Sequence, residues 1–69
     1  MMSKHYDKKE EWYYKKLAAY FDKHYRKYDP DILWWIDPAP NQWSFHILDL
    51  NVTVTLTCDD NGAVIAELE

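Results

Sequence analysis

Ser44, His46 and Asp49 are the residue types of a nucleophilic triad, and they lie close together in the sequence. Segment 43–49 alternates like a strand, so Ser44 and His46 point to one face and Asp49 points to the other. Neither a nucleophile turn nor an oxyanion loop accompanies them. The sequence therefore predicts no nucleophilic catalysis, and we expect a protein that is not an enzyme.

The potential metal ligands are spaced too widely to form a site. His5, His24 and His46 lie far apart, and the single cysteine, Cys58, lacks a C-x-x-C partner. Residues 59–62 (Asp-Asp-Asn-Gly) suit a hairpin turn and lack the alternating oxygen ligands and the distal glutamate of a calcium loop. We therefore expect no metal and no cofactor.

The distribution of charge is the most informative feature of the chain. All eight Lys and Arg residues lie within residues 1–28, beside four acids, whereas residues 29–69 hold eight acids and no Lys or Arg. Both signs normally intersperse on a soluble surface. The pattern indicates either two halves whose charges complement each other where they pack, or an anionic surface matched to a cationic partner.

In the second interpretation, the acids that contact a partner lie around the first strand and the last hairpin. They are Asp29, Asp31, Asp37, Asp59, Asp60, Glu67 and Glu69. Carboxylates on a small rigid scaffold can stand in for DNA phosphates, because they attract the same basic side chains. Some of these acids could instead neutralise the basic N-terminal segment.

Direct binding to nucleic acid is the main alternative. The cations of residues 1–28 are interleaved with all six tyrosines of the chain, which suits a basic, aromatic helix on DNA. The eight acids of residues 29–69 lie within about two Debye lengths in a body this small and oppose a phosphate backbone. We expect no direct contact with nucleic acid and keep a DNA-binding or antitoxin-like module as the alternative.

Length and composition predict a single folded domain over residues 1–69. Hydrophobic residues make up 48% of the chain and charged residues 29%, which excludes collagen-like and disordered classes. The lone cysteine indicates a reducing compartment, and the sequence shows neither a long apolar run nor a leader. We therefore expect a cytoplasmic protein with no membrane contact.

The spacing of the apolar residues predicts one helix followed by strands. A stripe at helical spacing predicts a helix over 7–28, which Pro30 ends by disfavouring α geometry at the residue before it. Alternating apolar residues predict strands over 32–36, 43–49, 52–58 and 63–68. We expect an α+β fold in which the N-terminal helix packs on an antiparallel three- to four-stranded meander sheet.

The same pattern predicts the register of two hairpins. In the last hairpin, a three-residue loop at 60–62, ending in a glycine at positive φ, pairs Leu56 with Ala66. In the hairpin before it, a two-residue loop at 50–51 pairs Phe45 with Leu56. The predicted core is Tyr13, Leu17, Tyr20, Phe21, Trp34, Phe45, Ile47, Val54, Leu56 and Val64.

Trp35 is a further candidate contact. If Trp34 faces the helix, Leu33 and Trp35 face outward and form, with Leu48, an apolar patch that the neighbouring acids would rim. Alternatively, the loop at 37–42 covers Trp35. Trp35 or an edge strand would also be the contact in a third interpretation, a small assembly protein that forms homodimers, although we expect a monomer.

The whole chain resembles the anti-CRISPR proteins, which are small phage-encoded inhibitors of bacterial immunity. The resemblance lies in the small single domain, the lack of a catalytic motif, the helix followed by an antiparallel sheet, and the acid-only segment 29–69. It implies an inhibitor in the host cytoplasm that mimics DNA. Such an inhibitor occupies the basic channel by which a CRISPR effector complex, for example a Cascade subunit, engages its target DNA.

Overall fold

The computed structural model describes residues 8–34 and 39–69, which form a helix, a short 3₁₀ helix and four strands. Helix α1 spans Lys8–His24 and the 3₁₀ helix spans Arg26–Asp31. The strands are β1 (Ile32–Trp34), β2 (Gln42–Ile47), β3 (Val52–Cys58) and β4 (Val64–Leu68). They form one antiparallel sheet in the order β1-β2-β3-β4, which confirms the α+β prediction.

The helix ends earlier than its predicted boundary at residue 28. The last α-type backbone bond runs from the N–H of Tyr25 to the carbonyl of Phe21 at 2.7 Å, and Tyr28 then donates to Tyr25 at 2.9 Å. Pro30 cannot donate to the carbonyl four residues before it, so the α ladder cannot continue through this segment. The chain tightens into a 3₁₀ helix instead. The predicted start at Asp7 lies outside the described residues.

The two hairpins differ in how well their register was predicted. The pairing of Leu56 with Ala66 is confirmed, and Gly62 has a φ of 89°. In the earlier hairpin the prediction is wrong by two residues, because Phe45 pairs with Val54 and not with Leu56. A four-residue turn over 48–51 with Asn51 at a φ of 54° replaces the predicted two-residue loop, so β2 ends at Ile47.

The core lies between the helix and one face of the sheet. Its buried side chains are Leu17, Phe21, Phe45, Ile47, Val54, Leu56 and Cys58. Six of these seven belong to the predicted core, whereas Tyr13, Tyr20 and Val64 are half-buried around it. Trp34 is the exception, because half of it is exposed at the edge strand β1, away from the strands that α1 covers most.

The other sheet face carries polar side chains that hydrogen-bond across strands β2 and β3. Gln42 Nε2 donates to Thr57 Oγ1 at 3.1 Å, and the His46 Nδ1 to Thr53 Oγ1 distance is 3.0 Å. Across β2 and β3 this face is therefore a ladder of paired polar groups. In the part of the chain that the structure describes, no helix combines the length and the apolar character needed to cross a membrane.

Candidate partner-binding surface

Asp59 forms part of the last hairpin turn. Its Oδ1 accepts hydrogen bonds from the backbone N–H of Asn61 at 2.8 Å and of Ala63 at 2.9 Å. A carboxylate that accepts two backbone N–H groups holds the turn closed, as acids commonly do at such positions. The structure therefore gives Asp59 a role within the fold.

Asp60 is bound by the basic helix. The Tyr13 hydroxyl donates to Asp60 Oδ1 at 2.6 Å, and Lys9 Nζ lies 3.5 Å from the same oxygen. The hydrogen bond from Tyr13 and then the charge of Lys9 lower the pKa of Asp60 below its ordinary value. At this acid the two halves of the chain complement each other, as the first interpretation of the charge pattern predicts.

The backbone of the same turn packs closely on the helix. A Cβ placed on Gly62 would lie 3.3 Å from Lys16 Cε and 3.3 Å from the Trp12 ring. The Trp12 ring also lies beneath two cations, Lys9 Nζ at 5.7 Å and Lys16 Nζ at 5.6 Å. The hairpin tip is thus seated on the first half of α1 by backbone, aromatic and charged contacts.

Four other predicted acids lie at the opposite end of the sheet. We call Asp29, Asp31, Glu67 and Glu69 the strand-end acids, and all four are exposed. The carbonyl of Asp31 accepts from the N–H of Leu48 at 2.9 Å, and Glu69 exchanges two 2.9 Å backbone bonds with Thr53. These bonds fix the backbone of Asp31, directly before β1, and of Glu69, directly after β4, beside the two outer strands of the sheet.

The cations nearest in sequence to these acids contact other groups. Arg26 binds Asp22 at 3.0 Å, and Lys27 Nζ lies 5.2 Å from the centre of the Tyr28 ring. Within residues 8–34 and 39–69, none of the strand-end acids takes part in an ion pair. Asp49, in the turn between β2 and β3, is exposed at the same end of the sheet and adds to the negative charge there.

Two predicted contacts, Trp35 and Asp37, lie outside the described residues. The apolar neighbours proposed for Trp35 are exposed, Leu33 by 51% and Leu48 by 52%. Leu33 pairs with His46, so it lies on the polar sheet face, as predicted.

A groove between the helix and the sheet edge is the feature that sequence reasoning missed. We call it the aromatic groove: its volume is about 500 Å³, and Tyr14, Ala18, Phe21, Asp22, Trp34 and Trp43 line it. The signal was available in part, because Tyr14, Ala18 and Phe21 lie on one helical stripe, with a small residue between two large rings. Only the sheet could supply the two tryptophans.

The two tryptophan rings of the aromatic groove stand nearly at right angles. Trp34 and Trp43 are 5.8 Å apart between centroids with an interplanar angle of 86°, and Tyr14 meets Trp43 edge-on at 5.2 Å and 68°. Phe21 closes the floor, 5.1 Å from Trp34. Tyr14 is 57% exposed and Trp34 50% exposed, so solvent reaches both.

The residues whose types suit catalysis or metal binding have ordinary structural contacts. His46 pairs with Thr53, and Ser44 lies 3.4 Å from the hydroxyl of Thr55. Burial, followed by the charge of Asp59, raises the pKa of the Cys58 thiol, which disfavours the reactive thiolate. The described residues contain no group of three His, Cys, Asp or Glu side chains that could hold a metal ion.

Comparison with known proteins identifies no relative of this chain. No family model matches the chain, and the searches of curated proteins and of solved structures likewise give no match.

Proposed function

We propose that this protein is a small acidic inhibitor that binds a basic, nucleic-acid-binding surface of a protein partner. In this proposal the strand-end acids take the place of DNA phosphates. The resemblance to anti-CRISPR proteins suggests the partner: a CRISPR effector complex, such as a Cascade subunit, whose recognition of target DNA would be blocked.

The observation that carries the proposal is that the strand-end acids are exposed and unpaired within the described residues, although the chain has eight cations. Charges that merely balanced the basic helix would pair with it, as Asp60 does with Lys9. Unpaired anions that share one end of a small body produce a field that attracts a cationic partner.

The sheet also makes the acids a rigid array. Glu69 is held by two backbone bonds to Thr53, and Asp31 by one to Leu48. Because the backbone is already ordered, binding loses less conformational entropy than it would with a flexible acidic tail. Each phosphate-binding cation that the array engages would otherwise contact DNA, so the inhibitor and the DNA compete.

The proposal gives the hairpin acids a lesser part than the sequence suggested. Asp59 holds the turn and Asp60 is bound to α1, so neither carboxylate is free of contacts within the fold. We therefore assign partner contact chiefly to Asp29, Asp31, Glu67 and Glu69.

The test is inhibition of target-DNA binding by purified, guide-loaded Cascade complexes from several bacteria, measured by gel shift at two salt concentrations. We expect inhibition of at least one complex, weaker at the higher salt, and no shift of DNA by the inhibitor alone. A direct shift of DNA would favour the DNA-binding alternative. Failure to inhibit any of the complexes would overturn the assignment to CRISPR effectors.

A pair of matched variants tests the surface itself. Glu67→Gln with Glu69→Gln removes two strand-end charges, and Glu10→Gln with Glu11→Gln removes two exposed charges from α1. We expect the first variant to inhibit about three- to tenfold less well and the second to inhibit like the parent. Equal effects of the two variants would mean that only net charge matters.

A further inference from the structure

The aromatic groove differs from the other ring clusters of the protein in its relation to cations. Lys9 and Lys16 lie over Trp12, Lys9 also over Tyr13, and Lys27 over Tyr28. Among the residues that the structure describes, no lysine or arginine lies over Trp34, Trp43 or Tyr14. Trp12, Tyr13 and Tyr28 thus have cation contacts within the chain, whereas the described residues provide none for the rings of the groove.

The groove combines two groups that attract the same kind of ligand. Aromatic faces attract cations through the ring quadrupole, most strongly for tryptophan. The Asp22 carboxylate lies in the same lining, so a positive charge entering the groove meets both. An uncharged apolar ligand would use the rings alone and gain nothing from the carboxylate.

We propose that the aromatic groove binds an arginine side chain of the partner protein, with its guanidinium against Trp34 and Trp43 and its charge facing Asp22. This inference rests on the proposed function only for the source of the arginine. It adds a specific anchor to an association that is otherwise driven by charge, and tryptophan, tyrosine and arginine are enriched among the residues that carry most of the binding energy of interfaces.

The shape of the groove favours arginine over other cations. The guanidinium is planar and weakly hydrated, so it stacks on an open ring face while it hydrogen-bonds to a carboxylate in its plane. A trimethylated lysine gains most when rings surround it on several sides. In this groove Trp34 and Trp43 form a right-angled corner that is open to solvent, which suits stacking.

Arg26 occupies part of this site from within the chain. Its Nη1 donates to Asp22 Oδ1 at 3.0 Å, in a pair whose side chains are 73% and 57% exposed. Exposed pairs four residues apart on a helix are weak and exchange readily. A partner arginine can therefore use the second Asp22 oxygen or displace Arg26, and removing Arg26 should strengthen binding.

The experiment is an NMR titration of the full chain with three acetylated tripeptides, Gly-Arg-Gly, Gly-citrulline-Gly and Gly-trimethyllysine-Gly. Citrulline matches arginine in shape and lacks its charge. We expect the arginine peptide to shift the indole N–H signals of Trp34 and Trp43, with the Trp12 signal unmoved as an internal control. No shift with arginine, or an equal shift with citrulline, would overturn the proposal, and tighter binding of trimethyllysine would overturn the choice of arginine.

Three variants at exposed positions test whether Asp22 contacts the arginine, and none of them changes a core residue. Asp22→Asn should weaken binding of the arginine peptide by about two- to fivefold, whereas Glu11→Gln on the same helix should leave it unchanged. Arg26→Gln should tighten binding. If Asp22→Asn and Arg26→Gln leave the affinity unchanged, Asp22 does not face the ligand and the assigned geometry is wrong.

The outcome is independent of the proposed function. The peptide titration uses no effector complex, so the groove can fail while inhibition of DNA binding persists. If the titration succeeds and inhibition fails, the groove binds an arginine and the assignment to CRISPR effectors is wrong.

Discussion

The acids of the last hairpin have partners within the fold, whereas the strand-end acids are exposed. At the hairpin, Asp59 closes its own turn and Asp60 binds Tyr13 and Lys9. At the other end of the sheet, Asp29, Asp31, Glu67 and Glu69 are exposed, and none of them forms an ion pair among the described residues.

A segment whose charged residues are all acidic therefore need not act as one surface. Part of its charge contacts the helix, and the rest is exposed. The two roles predict opposite consequences of mutation: hairpin changes should lower stability, and strand-end changes should lower binding.

The largest effect on stability is expected at Gly62. Its φ of 89° disfavours any side chain, and an added Cβ would crowd the Trp12 ring at 3.3 Å. Gly62→Ala should lower the free energy of unfolding by about 1–3 kcal/mol in urea titrations followed by tryptophan fluorescence. The control is Asn51→Gly at the other positive φ, which should be neutral or slightly stabilising. A stable Gly62→Ala variant would mean that the hairpin tip is not seated as described.

The next effect in size is expected at Asp59. Asp59→Ala removes the acceptor of two backbone N–H bonds and should lower the free energy of unfolding by about 1–2 kcal/mol. Asp29→Ala removes the same charge from the other end of the sheet and should change it by less than about 0.5 kcal/mol. Thermal unfolding of the two variants measures the difference directly, and equal values would remove the distinction between the two regions.

A smaller effect, measured by titration in acid, is expected at Tyr13. The folded-state pKa of Asp60 lies below its ordinary value of 3.8, so the stabilising contribution is present above that pH and is lost as the pH falls through the lowered pKa. Tyr13→Phe removes the largest cause and should move the pKa of Asp60 upwards. NMR titration of the Asp60 carboxyl carbon in the parent and in the variant tests this, and an unchanged pKa of Asp60 would contradict the 2.6 Å hydrogen bond.

The smallest effect on stability is expected at the strand-end acids. Glu67 and Glu69 are exposed on the edge strand or directly after it, so changing both to glutamine should alter the free energy of unfolding by less than about 0.5 kcal/mol. A larger loss in urea titrations would show that these acids stabilise the fold and are not reserved for a partner.

The sequence was sufficient for the layout and for one hairpin. Gly62 allows a positive φ, and only the three-residue loop keeps apolar residues opposite each other, so the β3–β4 register could be derived. A pattern with a period of two cannot detect a slip of two residues, because the slip leaves every side chain on its own face. For this reason the sequence pattern predicts that Phe45 pairs with Leu56, whereas in the structure Phe45 pairs with Val54.

The site was predictable only in part, because charge is visible in a sequence and pairing is not. The acids could be named, but the contact of Asp60 with Tyr13 joins residues 47 positions apart. The aromatic groove likewise arises where a helical stripe meets Trp34 and Trp43 from separate strands. Local periodicity can predict which residues share a face of one helix or strand. It cannot predict which faces of separate elements pack together to form the groove.

Two variants of equal net charge test the central claim most directly. One carries Asp29→Asn, Asp31→Asn, Glu67→Gln and Glu69→Gln; the other carries Glu10→Gln, Glu11→Gln, Asp59→Asn and Asp60→Asn. Each removes four negative charges from a chain of formal charge −4. In gel-shift inhibition of target-DNA binding by a susceptible effector complex, the first should inhibit about tenfold or more less well than the second. Equal inhibition by the two variants would contradict the assignment of recognition to the strand-end acids.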